Sequence, residues 1–179
     1  YAKVSKPIFS PQPVDDLIDV FNLLQTNFPF TKFCIYQGKI ISPLQHHLSS
    51  NRIIYVETER DSAETVFDFL KGENRLVFAP DKDTDIAIWN GQQDYLLKEP
   101  CFRGPSQEVS GIPMPTLEKL LVDTLRDFDF FYLQRIESER IIENDFKMYT
   151  VNRSRLFRYS SRRKIKDELF SILNNLNLI

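Results

Sequence analysis

Cysteine and histidine are scarce in this sequence: Cys34 and Cys101 lie far apart, and His46 and His47 sit side by side. Structural zinc needs four Cys or His ligands in paired spacings, so no zinc site is expected and both cysteines read as small buried hydrophobes. Adjacent histidines on a helix point about 100° apart and do not converge as an acid/base pair, which makes them surface or lining residues. There is no Gly-rich phosphate loop, no G-x-S-x-G turn, no internal repeat and no low-complexity segment. No apolar run approaches the ~18 residues of a membrane span. The start, Tyr1 to Pro13, is neither a basic-then-apolar signal nor an Arg/Ser-rich transit peptide, so the expectation is a soluble, cytoplasmic protein with no membrane partner. A net charge of -2 excludes nucleic-acid binding by bulk charge and leaves only a local patch for it.

What is present suffices for a core. The 179 residues are 42% hydrophobic and 13% aromatic, enough for one domain of ordinary size. The chain opens with Tyr rather than Met, and its first dozen residues read as the tail of a strand followed by a Pro-punctuated linker. Residues 1–12 are therefore expected to be the end of a lost N-terminal domain and its linker.

From Pro13 the apolar positions Leu17, Val20, Phe21 and Leu24 recur at helical spacing, with Asp15 and Asp16 at the positive end of the helix, which ends near Asn27. Phe33–Tyr36 predicts a strand, Ser42-Pro43 a short helix through Leu48, and Arg52–Glu57 a strand buried on both faces. Asp61, with Glu64 three residues on, predicts a capped helix ending at Gly72. Strands follow at Asn74–Phe78 and Ile86–Trp89, the latter returning at Asn90-Gly91 as a hairpin through Tyr95–Lys98. Pro100 to Gly111 reads as loop, and helices over 116–126, 136–149, 152–163 and 166–176 complete the chain. This pattern predicts an α/β (α+β) fold: a mixed sheet flanked by helices over 13–112, and a helical region, 113–179, packed on it within the same domain.

Three groups of residues carry chemical interest. Asp83 and Asp85, at i and i+2 entering a strand, point to one side and suit a divalent metal such as magnesium for phosphoryl transfer, as in nucleotidyltransferases. The Gly-Ser turn of that pattern is missing, Gly72-Glu73 standing in its place, and Asp94 is only a nominal third ligand; an acidic surface turn is the plainer reading. Glu57, Glu59 and Asp85 form a nuclease-like set without its Glu-x-Lys tail, since Glu118-Lys119 is adjacent rather than spaced. The sharpest charge asymmetry is the stretch from Lys147 to Lys166, with Arg153, Arg155, Arg158, Arg162, Arg163 and Lys164 and no acidic residue. On a helix starting at Asn152, Arg155, Arg158 and Arg162 share a face while Leu156 and Phe157 point to the core. Such like charges call for phosphate, an acidic partner, or pairing with Glu137, Glu139, Glu143 or Asp145 on the preceding helix. The aromatic cluster Phe128, Phe130, Phe131 and Tyr132 reads as core before interface.

Several stretches resemble the C-terminal part of AbiEi-family proteins, the antitoxin and transcriptional-regulator component of type IV, abortive-infection toxin–antitoxin systems. The opening Tyr1-Ala2-Lys3-Val4-Ser5-Lys6-Pro7 with Phe9 and Pro11 resembles the last strand of that family's winged helix-turn-helix and its linker. Arg52 to Phe69 resembles the following strand and helix, Pro115 to Asp123 a helix opening, and Asn152 to Tyr159 with Arg162-Arg163 the late basic helix. The resemblance implies a non-catalytic regulatory or antitoxin domain with no resident cofactor, whose partners are a cognate toxin or DNA. The winged helix itself is lacking.

Overall fold

The structure, a computed structural model, describes residues 5–40, 52–73, 75–79, 94–98, 104–127 and 135–179. Its elements in chain order are α1 (Asp15–Asn27), β1 (Phe33–Gln37), β2 (Ile54–Thr58), α2 (Arg60–Gly72), β3 (Val77–Phe78), β4 (Tyr95–Lys98), β5 (Ser106–Val109), β6 (Ile112–Pro115), α3 (Leu117–Arg126), α4 (Arg135–Met148), α5 (Arg153–Arg162) and α6 (Lys166–Asn175). The fold is of the α+β class.

Four strands form a mixed sheet in the order β1-β2-β4-β3. Strand β1 runs antiparallel to β2, with Cys34 opposite Glu57, whereas β2 and β3 both run parallel to β4. All five residues of β2 are buried, as expected of an inner strand covered on both faces. Tyr36 and Tyr55 stack across the β1–β2 pair with centroids 4.7 Å apart. Helix α1 buries Leu17, Val20 and Leu24, and Phe28 just beyond its end meets Phe69 of α2 edge-on at 5.3 Å.

Three local expectations change. Strand β4 is not described as the return of a hairpin; it lies between two parallel neighbours, and the proposed outgoing strand and turn at 86–91 fall outside the described residues. The stretch read as loop up to Gly111 contains β5, which pairs antiparallel with β6. Ser110 and Gly111 both have positive φ, 52° and 80°, the two-residue turn that matches strand twist. Pro113 and Pro115 read as punctuation, yet alternate positions of a short hairpin strand can lack their N–H groups without breaking its pairing. Finally, α2 begins at Arg60 with Glu59 as its N-cap residue, so Asp61 sits inside the first turn, where it favours the positive helix end instead of capping it.

The hairpin packs against β1 through β6 and leads into α3, whose N-cap Thr116 accepts from the Lys119 amide. Every residue from Leu117 to Thr124 is buried, polar ones included. Helices α4 and α5 both pack on α3, and α6 packs on α5. The N-terminal segment is tied to this helical region: Thr150 donates to the carbonyls of Pro7 and Lys6, and Phe9 is buried edge-on against Tyr149. Among the described residues no helix is long and apolar enough to cross a membrane.

Candidate functional site

The parallel strands β2 and β4 bring Glu57 and Lys98 into register at their carboxyl ends, where sheets of this kind usually place ligands. Here that end is filled by side chains from α3 and α5. The Lys119 ammonium lies 2.5 Å from Glu57 Oε1 and 2.5 Å from Asp123 Oδ2, and all three side chains are almost wholly buried. Tyr159 donates its hydroxyl to the other Asp123 oxygen at 2.8 Å. Arg163 reaches the same oxygen at 3.6 Å through Nε and donates to Asp127, which also takes Lys98 at 2.7 Å. On the same helix α3, Glu118 accepts from the Asn152 amide and from Arg155 at 3.3 Å.

The electrostatics follow from burial and charge. Burial alone would lower the Lys119 pKa, but Asp123 and then Glu57 hold it well above the ordinary lysine value. Burial would raise Asp123, and the cations Lys119, Lys98 and Arg163 instead keep it below the usual carboxylate range. The Tyr159 phenol is pushed far up, by burial first and then by Asp123. The half-buried Cys34 thiol is likewise raised by burial and by Glu57, which makes it a poor nucleophile. Four carboxylates (Glu57, Glu118, Asp123, Asp127) meet four cations (Lys98, Lys119, Arg155, Arg163). The ammonium of Lys119 stands between the two carboxylates that would otherwise face a divalent ion. The arrangement therefore couples sheet to helices rather than presenting charge to a substrate.

Tyr159→Phe removes one hydrogen bond to a buried carboxylate and is expected to cost about 1.5–3 kcal/mol. Urea unfolding with an unchanged slope checks this; a loss within experimental error contradicts the role given to the hydroxyl.

The basic stretch divides in two. Arg163, largely buried, and Arg155, half-exposed, pair with carboxylates of α3 and its C-cap, not with those of α4; Glu143 of α4 pairs instead with Lys147. Arg153, Arg158, Arg162 and Lys164 are exposed. Arg153 donates to the Leu178 carbonyl at 2.5 Å, Arg158 to the Ser154 carbonyl at 3.3 Å, and Arg162 sits 5.6 Å from the centre of the Tyr159 ring. Asn152 caps α5 by accepting from the Arg155 amide, and Lys164, at a φ of 60°, turns the chain into α6. Leu156 is buried and Phe157 partly so, as the helical spacing predicts.

Residues 1–179 match one protein family, described as a family of unknown function (DUF6577). The chain belongs to DUF6577. No curated protein and no solved structure is significantly similar to it.

Most of the other sequence candidates in this DUF6577 chain lie outside the described residues. Asp83, Asp85, His46, His47, Cys101 and the aromatics Phe128, Phe130, Phe131 and Tyr132 lie outside the described residues. Asp94, the nominal third ligand, accepts from the Leu76 amide at 2.9 Å and so holds the entry of β3 to that of β4. Glu57 is buried on Lys119, while Glu59 is exposed at the start of α2. Among the described residues no group of three or more His, Cys, Asp or Glu side chains is placed to hold a metal ion. Sequence reasoning missed the roles of Lys119, Asp123 and Tyr159. The one signal was Lys119 and Asp123 at i and i+4 in a helix that also carries four leucines and a valine.

Proposed function

We propose that the chain is a non-catalytic regulatory domain that binds nucleic-acid phosphate through the outward face of α5. One observation carries this reading: the late basic stretch is split, with Arg155 and Arg163 taken up by α3 carboxylates and Arg158 and Arg162 left exposed one turn apart on a helix without acidic residues. Tyr159 strengthens the case mechanically. Its ring lies beneath Arg162 while its hydroxyl is fixed by Asp123, so the buried network orients a surface guanidinium.

Four cations, Arg153, Arg158, Arg162 and Lys164, set the scale of the interaction. Neutralising about four phosphates gives a log–log salt slope of roughly -3.6 and a weak, sequence-independent affinity. The charge reversals Arg158→Glu and Arg162→Glu together are expected to abolish binding to a short duplex at low salt, with the fold intact by circular dichroism. Undiminished binding by that variant would remove the reading. Binding to polyglutamate but not to DNA would reassign the same face to an acidic protein partner.

The resemblance to AbiEi-family antitoxins supports the regulatory reading and narrows it. On that view the DNA is the promoter of the chain's own operon, the protein partner is a toxin, and the protein acts in the cytoplasm.

A further inference from the structure

At the opposite end of the sheet from Lys119, the entries of β2 and β4 and the exit of β1 border a cleft of about 320 Å³. Ile54 and Tyr95, paired in register, mark this end as Glu57 and Lys98 mark the other. One wall comes from α1 and carries Asp16 and Asp19; Arg52 and Arg75 enter from the starts of β2 and β3, with the Asp94 carboxylate, which accepts from the Leu76 amide, at the start of β4 between those strands. Asp16 is accounted for by the positive end of its helix, but Asp19, a turn further on, is not. Among the described residues no ion pair joins Asp16 or Asp19 to either arginine. Gln37, 8% exposed, lines the cleft, and its buried Oε1 has no hydrogen-bond partner. The buried Tyr95 adds a phenol: burial, aided by Asp94, Asp16 and Glu73 and opposed by Arg75, holds it above its ordinary range, so it offers an O–H.

A cleft with carboxylates on α1, two guanidiniums beside an amide-bound carboxylate at the strand entries, and an unused acceptor in its lining offers partners for both signs of charge. A simple anion meets Asp16, Asp19 and Asp94, and a simple amine or polyamine meets Arg52 and Arg75, so each is opposed by part of the lining. A molecule carrying both charges satisfies both. Its ammonium has three N–H donors, matching the two carboxylates and Gln37 Oε1, and its carboxylate fits the planar guanidinium fork. The volume lies at the low end of small-molecule sites.

We propose that this cleft binds a small zwitterion of the free α-amino-acid class, with the ammonium on Asp16, Asp19 and Gln37 and the carboxylate on Arg52 and Arg75. The site is separate from α5 and does not depend on the reading of that helix. It gives the domain a place to sense a metabolite.

Titration calorimetry of the full chain against each standard free α-amino acid, with n-butylamine and butyrate as single-charge controls, tests this. Saturable heat is expected for at least one amino acid and for neither control. Asp19→Asn and Arg52→Gln, both at exposed positions, should each weaken that binding about tenfold, the factor carried by one charge-assisted hydrogen bond. Absence of saturable heat across the whole set would overturn the proposal. So would a single-charge control that binds as tightly as the zwitterion, or variants that leave the affinity unchanged.

Discussion

Lys119→Met is expected to destabilise the protein by about 3–5 kcal/mol, because it leaves the carboxylates of Glu57 and Asp123 buried without their shared cation. For a domain whose total stability is of the order of 5–15 kcal/mol, that is a large part of the whole. Combining Lys119→Met with Glu57→Gln should cost less than the sum of the two single changes, since the second removes the charge that the first orphans. Chemical denaturation of the two single variants and the double variant measures the coupling. Additive losses would mean that the sheet and α3 are not held together by this contact, and a neutral Lys119→Met would show that the cluster is dispensable to the fold.

The second large effect concerns Asp145. This α4 residue is fully buried, neither carboxylate oxygen has a hydrogen-bond partner, and burial raises its pKa to about 8. In the unfolded chain the same group titrates near the ordinary value of about 4. Between these two values the folded state holds a proton that the unfolded state has lost, so stability falls as pH rises, by up to about 1.4 kcal/mol per pH unit from this group. Below about pH 4 both states are protonated, and above about pH 8 both are ionised, so its slope vanishes at either end. Asp145→Asn removes the titration. It should flatten the pH profile and raise stability at pH 7 by roughly 2–4 kcal/mol relative to the native protein. Asp123 acts with the opposite sign: its lowered value gives stability present above about pH 4 and lost only as pH falls through its folded pKa. A native protein whose stability rises steadily from pH 5 to pH 8, or an Asn variant no more stable at pH 7, would contradict the placement of Asp145.

Much of the architecture was legible because strong local signals agreed with the tertiary outcome. The apolar spacing in α1, the uninterrupted run in β2 and the helix starts at Thr116 and Asn152 all appear within a residue of where periodicity puts them. The β5–β6 hairpin was hidden because two prolines in four residues outweigh the Ser110-Gly111 turn in any local reading. Strand β4 was legible as a strand but not in its pairing, since parallel partners are set by tertiary placement and leave no mark in a four-residue segment.

The site was legible only in part. The basic stretch stood out by composition, and the helical period correctly separated Leu156 from the cations. What the period does not encode is which arginines meet carboxylates from another helix: Arg155 and Arg163 look like their neighbours until α3 is packed beside them. The same holds for Lys119: Lys119, Asp123 and Arg126 share a face that reads as solvated in the sequence, and only packing shows it buried against Glu57, 62 residues earlier. Gln37 drew no notice at all, because an amide at a strand end becomes informative only when its oxygen is found buried and unmatched.

The most direct test of the binding face is fluorescence anisotropy of DNA from immediately upstream of the coding sequence, titrated with this chain across a salt series. The account predicts binding that weakens with salt along a slope near -3.6, and a slope shallower by about 2 when Arg158 and Arg162 are both neutralised to Gln. Absence of binding at the lowest salt, or a slope that the two substitutions leave unchanged, would contradict it.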